Sequence, residues 1–452
     1  MAFVPSKRLL WGVAVGVMPA WLWLGMTGVS SGVLVLGLGS VACFALLDAL
    51  ISLRDLDGVM VKAESMVRVT RGGRFAWRLE LEGGGVRGGV MRLGIAFPKA
   101  LKCETEVMEV CFEAGKPRGI FRWEGQALER GSFEIRQVYL GKPSRVGLWE
   151  IRREVPVQCE VRVYPDLSGH RDVLAPLFLR RASPGIHSVR QIGRGREFEQ
   201  LRAYAPGDGY EDIYWKGTAK RRFPVTRVYQ TERTQEIYVA VDVSRRSARV
   251  LEGSGSGAQT GMVETQCDRF LQAALVLALT ASQQGDRLGL VTFSDQVHSM
   301  LPASGGSAHY AACREALYAL HPRRVNPDYA ELFTQIGNRV RRRSLVIVLT
   351  DLGEAWLAET FREAVRELAR KHLVLVHFLG SREASPLFGR DDGLPDADAL
   401  YGRLAGHMVW SGLEKTARKL SQSGVHLVRS DEERLVAEVV SEYLKVKKRQ
   451  IL

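Results

Sequence analysis

The sequence lacks the short signatures that mark the common catalytic classes. There is no GxxxxGK[ST] run to cradle nucleotide phosphates and no GxSxG nucleophile elbow. His298, His309, His321, His372 and His377 show neither HExxH nor CxxH spacing, and His372 and His377 lie five apart on or near one strand, on opposite faces. Cysteine is sparse: the six residues 43, 103, 111, 159, 267 and 313 form no CxxC pair and no Cys/His cluster. That pattern argues against a structural zinc site and fits reduced thiols in a cytoplasm. Negative charge is also in deficit, with 63 Lys and Arg against 50 Asp and Glu, a net charge of +13. Such a balance would suit nucleic acid, but no recognition motif or basic–aromatic repeat accompanies it, so no nucleic-acid partner is expected. A body held beside anionic lipid explains the excess better, and the C-terminal run Lys445, Lys447, Lys448 and Arg449 would add to it.

Long apolar runs are confined to the first 54 residues. Leu9 to Met26 is one, and Gly32 to about Leu53 is the other, separated only by Thr27–Ser31. A bilayer core needs roughly 20 helical residues to cross, so residues 1–54 read as a transmembrane helical hairpin. A cleaved leader would have a shorter apolar core and one span at most. Lys7 and Arg8 before the first run and Arg54 after the second predict both ends on the cytoplasmic side of an inner membrane, with the soluble domains there too. Pro19 is tolerable within a span that has a helical neighbour. Asp48, about five residues from the inner end, reads as a carboxylate at the interface, with a functional intramembrane acid as the alternative.

The remainder divides into three segments. From 55 to 170, short alternating runs such as Phe75–Leu81, Phe133–Leu140 and Cys159–Tyr164, separated by Gly-rich turns, predict an all-β domain, an antiparallel sandwich or an open barrel, without a catalytic cluster. From 171 to 235 the periodicity fades in a basic stretch expected to link to the C-terminal domain and pack on it. Its GRGREF, at 193–198, lacks the third glycine of a dinucleotide fingerprint. A network of Arg–carboxylate pairs, with Trp215 and Tyr204 packed against a domain, and a partner-binding surface are equally good readings of it. From 236 to 452, β-branched runs (Ile237–Val243, Leu288–Phe293, Leu345–Leu349, Leu373–Leu379) alternate with amphipathic stretches, which predicts a doubly wound α/β domain. Leu251–Met262 and 381–410 are expected to be long loops.

In a doubly wound domain, ligands bind at the carboxyl ends of the strands. VAVDVSRRS places Asp242 and Ser244 at one such end, and VIVLTDLGE places Thr350 and Asp351 at another. Two carboxylates and a hydroxyl could hold Mg²⁺. Arg245 and Arg246 would equally supply a guanidinium that pairs with Asp242 or Asp351 and displaces the metal. Either acid could simply cap a turn. A dehalogenase-type phosphatase would want Asp where Ser244 stands.

An α/β domain with Asp-x-Ser-x-Ser after its first strand and a later strand-end Asp resembles a von Willebrand factor A domain. REFEQLRAYAPGDGYEDIYWKGTAKR, at 196–221, looks like the signature of the bacterial family called domain of unknown function 58. Within it Arg196, Glu197, Phe198, Leu201, Arg202, Tyr204, Gly207, Asp208, Asp212, Ile213, Trp215 and Lys216 are the signature positions. ERGSFEI at 129–135, VGLWE at 146–150 and VYP at 163–165 are weaker echoes, so the resemblance runs over essentially the whole chain. It implies a β-sandwich followed by a von Willebrand A-like domain, and association with a MoxR-type AAA+ ATPase. The metal motif carries over in part. Asp242, Ser244 and Asp351 match, but Arg246 holds the second serine position, and Pro327 and Asp328 stand where a loop threonine is expected. The expected role is a membrane-anchored, non-enzymatic adaptor in assembly or regulation of cell-envelope or protein complexes, with no cofactor. A Mg²⁺-dependent hydrolase built on Asp242 and Asp351 is the alternative.

Overall fold

The structure, a computed structural model, describes residues 2–26, 31–56, 59–83, 89–112, 118–170, 192–206, 208–230, 235–251, 263–380 and 397–449, with the isolated residues 175 and 386. The chain divides into two compact units, Met1–Asp166 and Leu167–Leu452.

The first unit opens with strand β1 (Ala2–Pro5), followed by the helices α1 (Lys7–Trp11) and α2 (Met18–Met26), between which lies a π-helical stretch, Gly12–Val17. Helix α3 (Ser31–Ser52) comes next, then β2 (Val59–Ala63), β3 (Met66–Thr70), β4 (Arg74–Gly83), β5 (Gly89–Ile95) and β6 (Leu101–Cys103). Strands β7 (Val107–Phe112), β8 (Arg118–Ala127), β9 (Gly131–Pro143) and β10 (Trp149–Tyr164) complete it. One sheet runs β1-β10-β9-β5-β7 with β3 also on β10, and the other runs β2-β4-β8-β6. Alternate residues of both sheets face one core, in which Trp77 and Trp123 are fully buried with ring centroids 6.0 Å apart. Of the two all-β arrangements that period-two alternation allows, two sheets packed on one core make this a sandwich.

Of the two spans expected, α3 is a helix long and apolar enough to cross a membrane, over Val35–Ser52. The first apolar run is helical from Lys7 to Met26 but broken by the π-helical stretch. The two runs share a connection to the sandwich. β1 pairs antiparallel with the start of β10, and Ser6 Oγ donates to Gly147 O at 2.6 Å. At the far end of α3, Asp48 accepts from Ser144 Oγ at 2.6 Å and from Val146 N at 3.0 Å, while Ser52 Oγ accepts from Arg145 N at 3.1 Å. The Trp149 indole donates to Ala45 O at 2.8 Å. The chain therefore leaves the β9–β10 turn at Ser6 and is back on the same turn at Asp48. Asp48 is not a carboxylate reaching for water: it is buried, with both oxygens satisfied by that turn.

The second unit opens with a 3-10 turn, Ser168–His170, and carries the hairpin of β11 (Ile192–Ala203) and β12 (Val225–Gln230), with helix α4 (Trp215–Arg221) in its tip. The α/β domain comes next: β13 (Glu236–Asp242), α5 (Gln266–Gln283), β14 (Arg287–Phe293), β15 (Val297–Ser304), α6 (Ser307–Leu317) and α7 (Tyr329–Arg339). It continues with β16 (Leu345–Leu349), α8 (Ala355–Lys371), β17 (Leu373–Leu379), α9 (Ala397–Gln422), β18 (Val425–Ser430) and α10 (Leu435–Arg449). The sheet order is β15-β14-β13-β16-β17-β18, parallel throughout except for the antiparallel edge strand β15. Ile237, Val239 and Val241 of β13 face a core shared with α5, α6 and α10, while Tyr238 and Ala240 face the opposite core with α7 and α8. Strands covered on both faces carry near-continuous apolar runs, which is why they are legible as strands.

One expectation needs correcting. Residues 397–410 belong to α9 rather than to a loop spanning 381–410; residues 381–385 and 387–396 lie outside the described residues, as do 252–262. Two of the C-terminal cations are ion-paired, while Lys445, Lys448 and Arg449 are exposed. Lys447 Nζ lies 2.7 Å from buried Asp286 and Lys445 Nζ 2.8 Å from Glu442.

Candidate functional site

The sheet's carboxyl edge gathers the residues the sequence points to. β13 ends at Asp242, wholly buried, whose Oδ1 accepts from Ser244 N at 2.7 Å and whose Oδ2 accepts from Thr350 Oγ1 at 2.6 Å. Since Thr350 spends its single proton on Asp242, it must accept from Tyr329 OH, 3.0 Å away. A directed chain Tyr329–Thr350–Asp242 results, joining α7, β16 and β13. Burial pushes the Asp242 carboxyl up to about 6, countered by the Thr350 and Ser244 hydrogen bonds and reinforced by the charge of Asp351. Burial likewise holds the Tyr329 phenol well above its ordinary value, so it remains a proton donor.

Asp351, just past β16, takes a different set of partners. Its Oδ1 accepts from Gly353 N at 2.8 Å, and its Oδ2 from Arg246 Nη2 at 2.8 Å. The other guanidinium nitrogen of Arg246 donates to Glu354 Oε1 at 3.0 Å, and Arg245 reaches Glu354 Oε2 at 3.4 Å. Arg246 thus forks between two carboxylates, a geometry that suits the planar guanidinium. Its side chain is 29 % exposed against 5 % for Asp351, so the pair is largely shielded. A cation placed between Asp242 and Asp351 would find each described carboxylate oxygen already accepting a hydrogen bond and a guanidinium beside it. Among the described residues, no group of three or more His, Cys, Asp or Glu side chains could hold a metal ion. Ser244 Oγ is buried beside Asp242 without a well-aligned hydrogen bond, and Asp328 caps α7 through Glu331 N.

The edge continues into the neighbouring loop through backbone bonds. Arg323 N donates to Val243 O at 2.7 Å and Arg245 N to Val325 O at 2.9 Å, which brings exposed Arg323 and Arg324 beside exposed Arg245. Trp356 is 49 % exposed, with its indole nitrogen 2.7 Å from Glu354 Oε2. A constellation that spacing did not reveal sits at the end of β14. Ser294 Oγ donates to Asp295 Oδ1 at 2.6 Å and lies 2.7 Å from His298 Nε2. With its proton committed to Asp295, Ser294 accepts from the imidazole, and a fully buried hydroxyl in that state is not an activated nucleophile. His372 and His377 are buried, and burial lowers both, His377 to about 4.

The signature segment separates into builders and presented residues. Arg202 Nη2 lies 2.5 Å from Asp208 Oδ1, and Asp208 Oδ2 accepts from Ala205 N at 3.0 Å. That backbone bond, with the Arg202 charge, lowers the Asp208 carboxyl. Tyr204 packs on Tyr210 at 6.2 Å, Ile213 is buried, and Arg227 lies 4.3 Å over the Tyr214 ring. Gly217 passes close to that ring; a Cβ there would sit 2.5 Å from Tyr214 Cδ1. Arg222 caps α4 in the left-handed conformation at φ 61°. In contrast, Trp215 is 68 % exposed and Lys216 is exposed too. Leu201 and Asp212 are half-buried. Arg196, Glu197 and Phe198 fall on β11, and Gly207 lies outside the described residues. The expected packing of Trp215 against a domain is therefore not seen, whereas Tyr204 does pack, on Tyr210, beside the Arg202–Asp208 pair.

Residues 200–391 match the family model described as protein of unknown function DUF58. The uncharacterized protein Rv1480 of Mycobacterium tuberculosis is 26 % identical over 216 residues, 47 % of this chain and 61 % of that protein. The chain thus spans about three fifths of the length of the curated relatives it matches. Among solved structures, BatB from Bacteroides thetaiotaomicron is 18 % identical, with a TM-score of 0.30, and is covered over 99 % of its length by 48 % of this chain. An aerotolerance-related membrane protein from Bacteroides fragilis gives 14 % identity and a TM-score of 0.29, with 47 % of this chain covering 99 % of it.

Proposed function

We propose, for a chain that belongs through residues 200–391 to the DUF58 family, the role of a membrane-anchored adaptor that presents an arginine-rich edge to an acidic segment of a protein partner. The observation that carries this reading is the fork of Arg246 between Asp351 and Glu354, with Arg245, Arg323 and Arg324 exposed beside it. Guanidinium groups recognise carboxylates through paired hydrogen bonds, and the carboxyl edge is where a doubly wound domain receives its ligands. In this reading Arg246 neutralises the acids that a Mg²⁺ ion would otherwise join, and the edge works without metal. The hydrolase alternative draws no support from Asp242 or Asp351, since both are buried and engaged.

The anchor in this proposal is two-pass. Its support is the shared attachment of Ser6 and Asp48 to the β9–β10 turn, which brings the start of one apolar run back to the end of the other. Lys7, Arg8 and Arg54 favour a cytoplasmic position for both ends. The partner we name is a MoxR-type AAA+ ATPase, reachable only from that side. The test is capture of the purified ATPase by the detergent-solubilised full chain, with and without nucleotide. Charge reversal at exposed Arg245 and Arg324 should weaken capture at least about tenfold, since buried charge-assisted contacts are worth about 1.5–3 kcal/mol each. Absence of a complex in either nucleotide state would remove the ATPase from the proposal.

A further inference from the structure

The tip of the β11–β12 hairpin holds three large aromatic side chains in solvent: Tyr210 at 77 %, Trp215 at 68 % and Phe223 at 46 % exposure. Between Tyr210 and Phe223 the chain carries Lys216, Lys220, Arg221 and Arg222 against the acids Glu211 and Asp212. All four cations are exposed. Large aromatics are usually buried, and several in one exposed tip mark a binding surface. This tip is not a slack loop. The Asp208–Arg202 pair, the Tyr204–Tyr210 contact, the Arg227–Tyr214 stack and the bond from Val225 N to Thr218 Oγ1 at 3.0 Å brace it from beneath. The left-handed Arg222 turns the chain out of α4 directly into exposed Phe223, at a position where glycine would be easier.

We infer that this tip is a second membrane contact, which lays Trp215, Tyr210 and Phe223 into the interfacial region of an anionic bilayer while Lys216, Lys220, Arg221 and Arg222 engage lipid phosphates. Trp and Tyr are the side chains that sit at headgroup depth, because one end is apolar and the other wet. Basic residues beside them gain from the negative surface potential of anionic lipid. The same chain carries α3, a helix of membrane-crossing length, so a bilayer is the surface its anchored form always has nearby. The surface differs from the arginine edge of the α/β domain and takes a different ligand; the inference rests on the anchored reading alone.

The test reconstitutes the full chain into vesicles of phosphatidylcholine, with or without phosphatidylglycerol, containing brominated acyl chains. Trp215→Phe isolates the emission of that one residue by difference. In anionic vesicles the difference emission should be blue-shifted and quenched by bromine. In neutral vesicles, or at high salt, the quenching should be lost. Lys220→Glu with Arg221→Glu should reduce it to the neutral-vesicle level while Trp215 stays in place. A red-shifted, unquenched difference emission in anionic vesicles that contain the inserted chain overturns the inference. So does a Trp215 equally shielded in detergent, which would mean that protein covers it. A chain that fails to float with carbonate-washed vesicles overturns the anchored reading and this inference together, and flotation is scored before any fluorescence.

Discussion

Arg246 holds Asp351 at 2.8 Å across 105 positions of sequence, and the residue so engaged stands at the second serine position of an Asp-x-Ser-x-Ser motif. The guanidinium there places a fixed positive charge beside both Asp351 and Glu354. Arg246→Ser should therefore leave Asp351 and Glu354 without their counter-ion and lower stability by about 1–3 kcal/mol, the usual cost of removing one partner of a charge-assisted bond. Thermal melts should then show a rise in midpoint with millimolar Mg²⁺ for the variant and none for the parent chain. A parent chain that responds to Mg²⁺ would mean that the guanidinium shares the edge with a metal.

Asp242 gives a pH signature of unusual sign. Its carboxyl stands at about 6 in the folded protein against 3.8 for the unreacted group. Between those values the folded chain keeps a proton that the unfolded chain has released, so this residue's contribution falls as pH rises through 6. The penalty at neutral pH is about 3 kcal/mol at most. Asp242→Asn keeps an acceptor for Ser244 N and offers a donor to Thr350. It should raise stability near pH 7.5, leave it unchanged near pH 4 and flatten the slope between. Denaturant titrations at the two pH values decide the matter; destabilisation at pH 7.5 would show that the charge itself is needed there.

Asp48 is tested where α3 meets the sandwich. It receives two hydrogen bonds from the β9–β10 turn, one from the Ser144 hydroxyl and one from Val146 N. Asp48→Ala should cost about 2–4 kcal/mol in the reconstituted protein, and Asp48→Asn less, because the amide oxygen still accepts. The expected readout is a protease cut appearing near Arg145 in the alanine variant, together with altered emission from Trp149, whose indole is fixed to Ala45 O. An unchanged digestion pattern would mean that the turn is held without the carboxylate.

These cases separate what a sequence displays from what only folding assembles. Strand alternation in Phe75–Leu81 and the apolar runs of β13 and β16 are local properties, and they place two sheets and the ends of two strands correctly. Helix α9 was hidden because its first half exposes Leu400, Tyr401, Leu404, Met408 and Val409, which leaves no polar–apolar alternation to read before Leu413. The edge strand β15 is half-buried along most of its length, and its pattern is correspondingly weak. Arg246 could be recognised as a departure from a motif, but whether it met Asp242 or Asp351 depended on contacts more than a hundred residues away. Asp48 reads from sequence as a carboxylate reaching the interface for the same reason, its partner Ser144 being 96 positions distant.

Asp286 ties the C-terminal helix to the sheet and holds Lys447. Its carboxylate is fully buried and accepts from Tyr443 OH at 2.5 Å, Lys447 Nζ at 2.7 Å and Gln235 N at 3.0 Å. Burial and the acidic neighbour raise the Tyr443 phenol far above its ordinary range, so it remains a donor. Tyr443→Phe should cost about 1.5–3 kcal/mol by denaturant titration. Lys447→Met should cost at least as much, since it leaves a buried carboxylate short of its only cationic partner among the described residues. Were lipid the true partner of Lys447, the methionine variant would lose membrane affinity and keep its stability.

Arg222 offers a way to separate stability from use. A residue with a side chain in the left-handed region costs roughly 1–2 kcal/mol relative to one without such a penalty, and glycine is the usual occupant at a helix C-terminus. Arg222→Gly should therefore hold or raise the melting midpoint, gaining up to about 1 kcal/mol after the entropy that glycine brings to the unfolded chain. If the cation at this strained position serves lipid phosphates, the same variant should bind less well in anionic vesicles while being no less stable. A variant that melts higher and keeps full Trp215 quenching would leave the arginine with no role at the bilayer, and the conformation would then be a consequence of the turn alone.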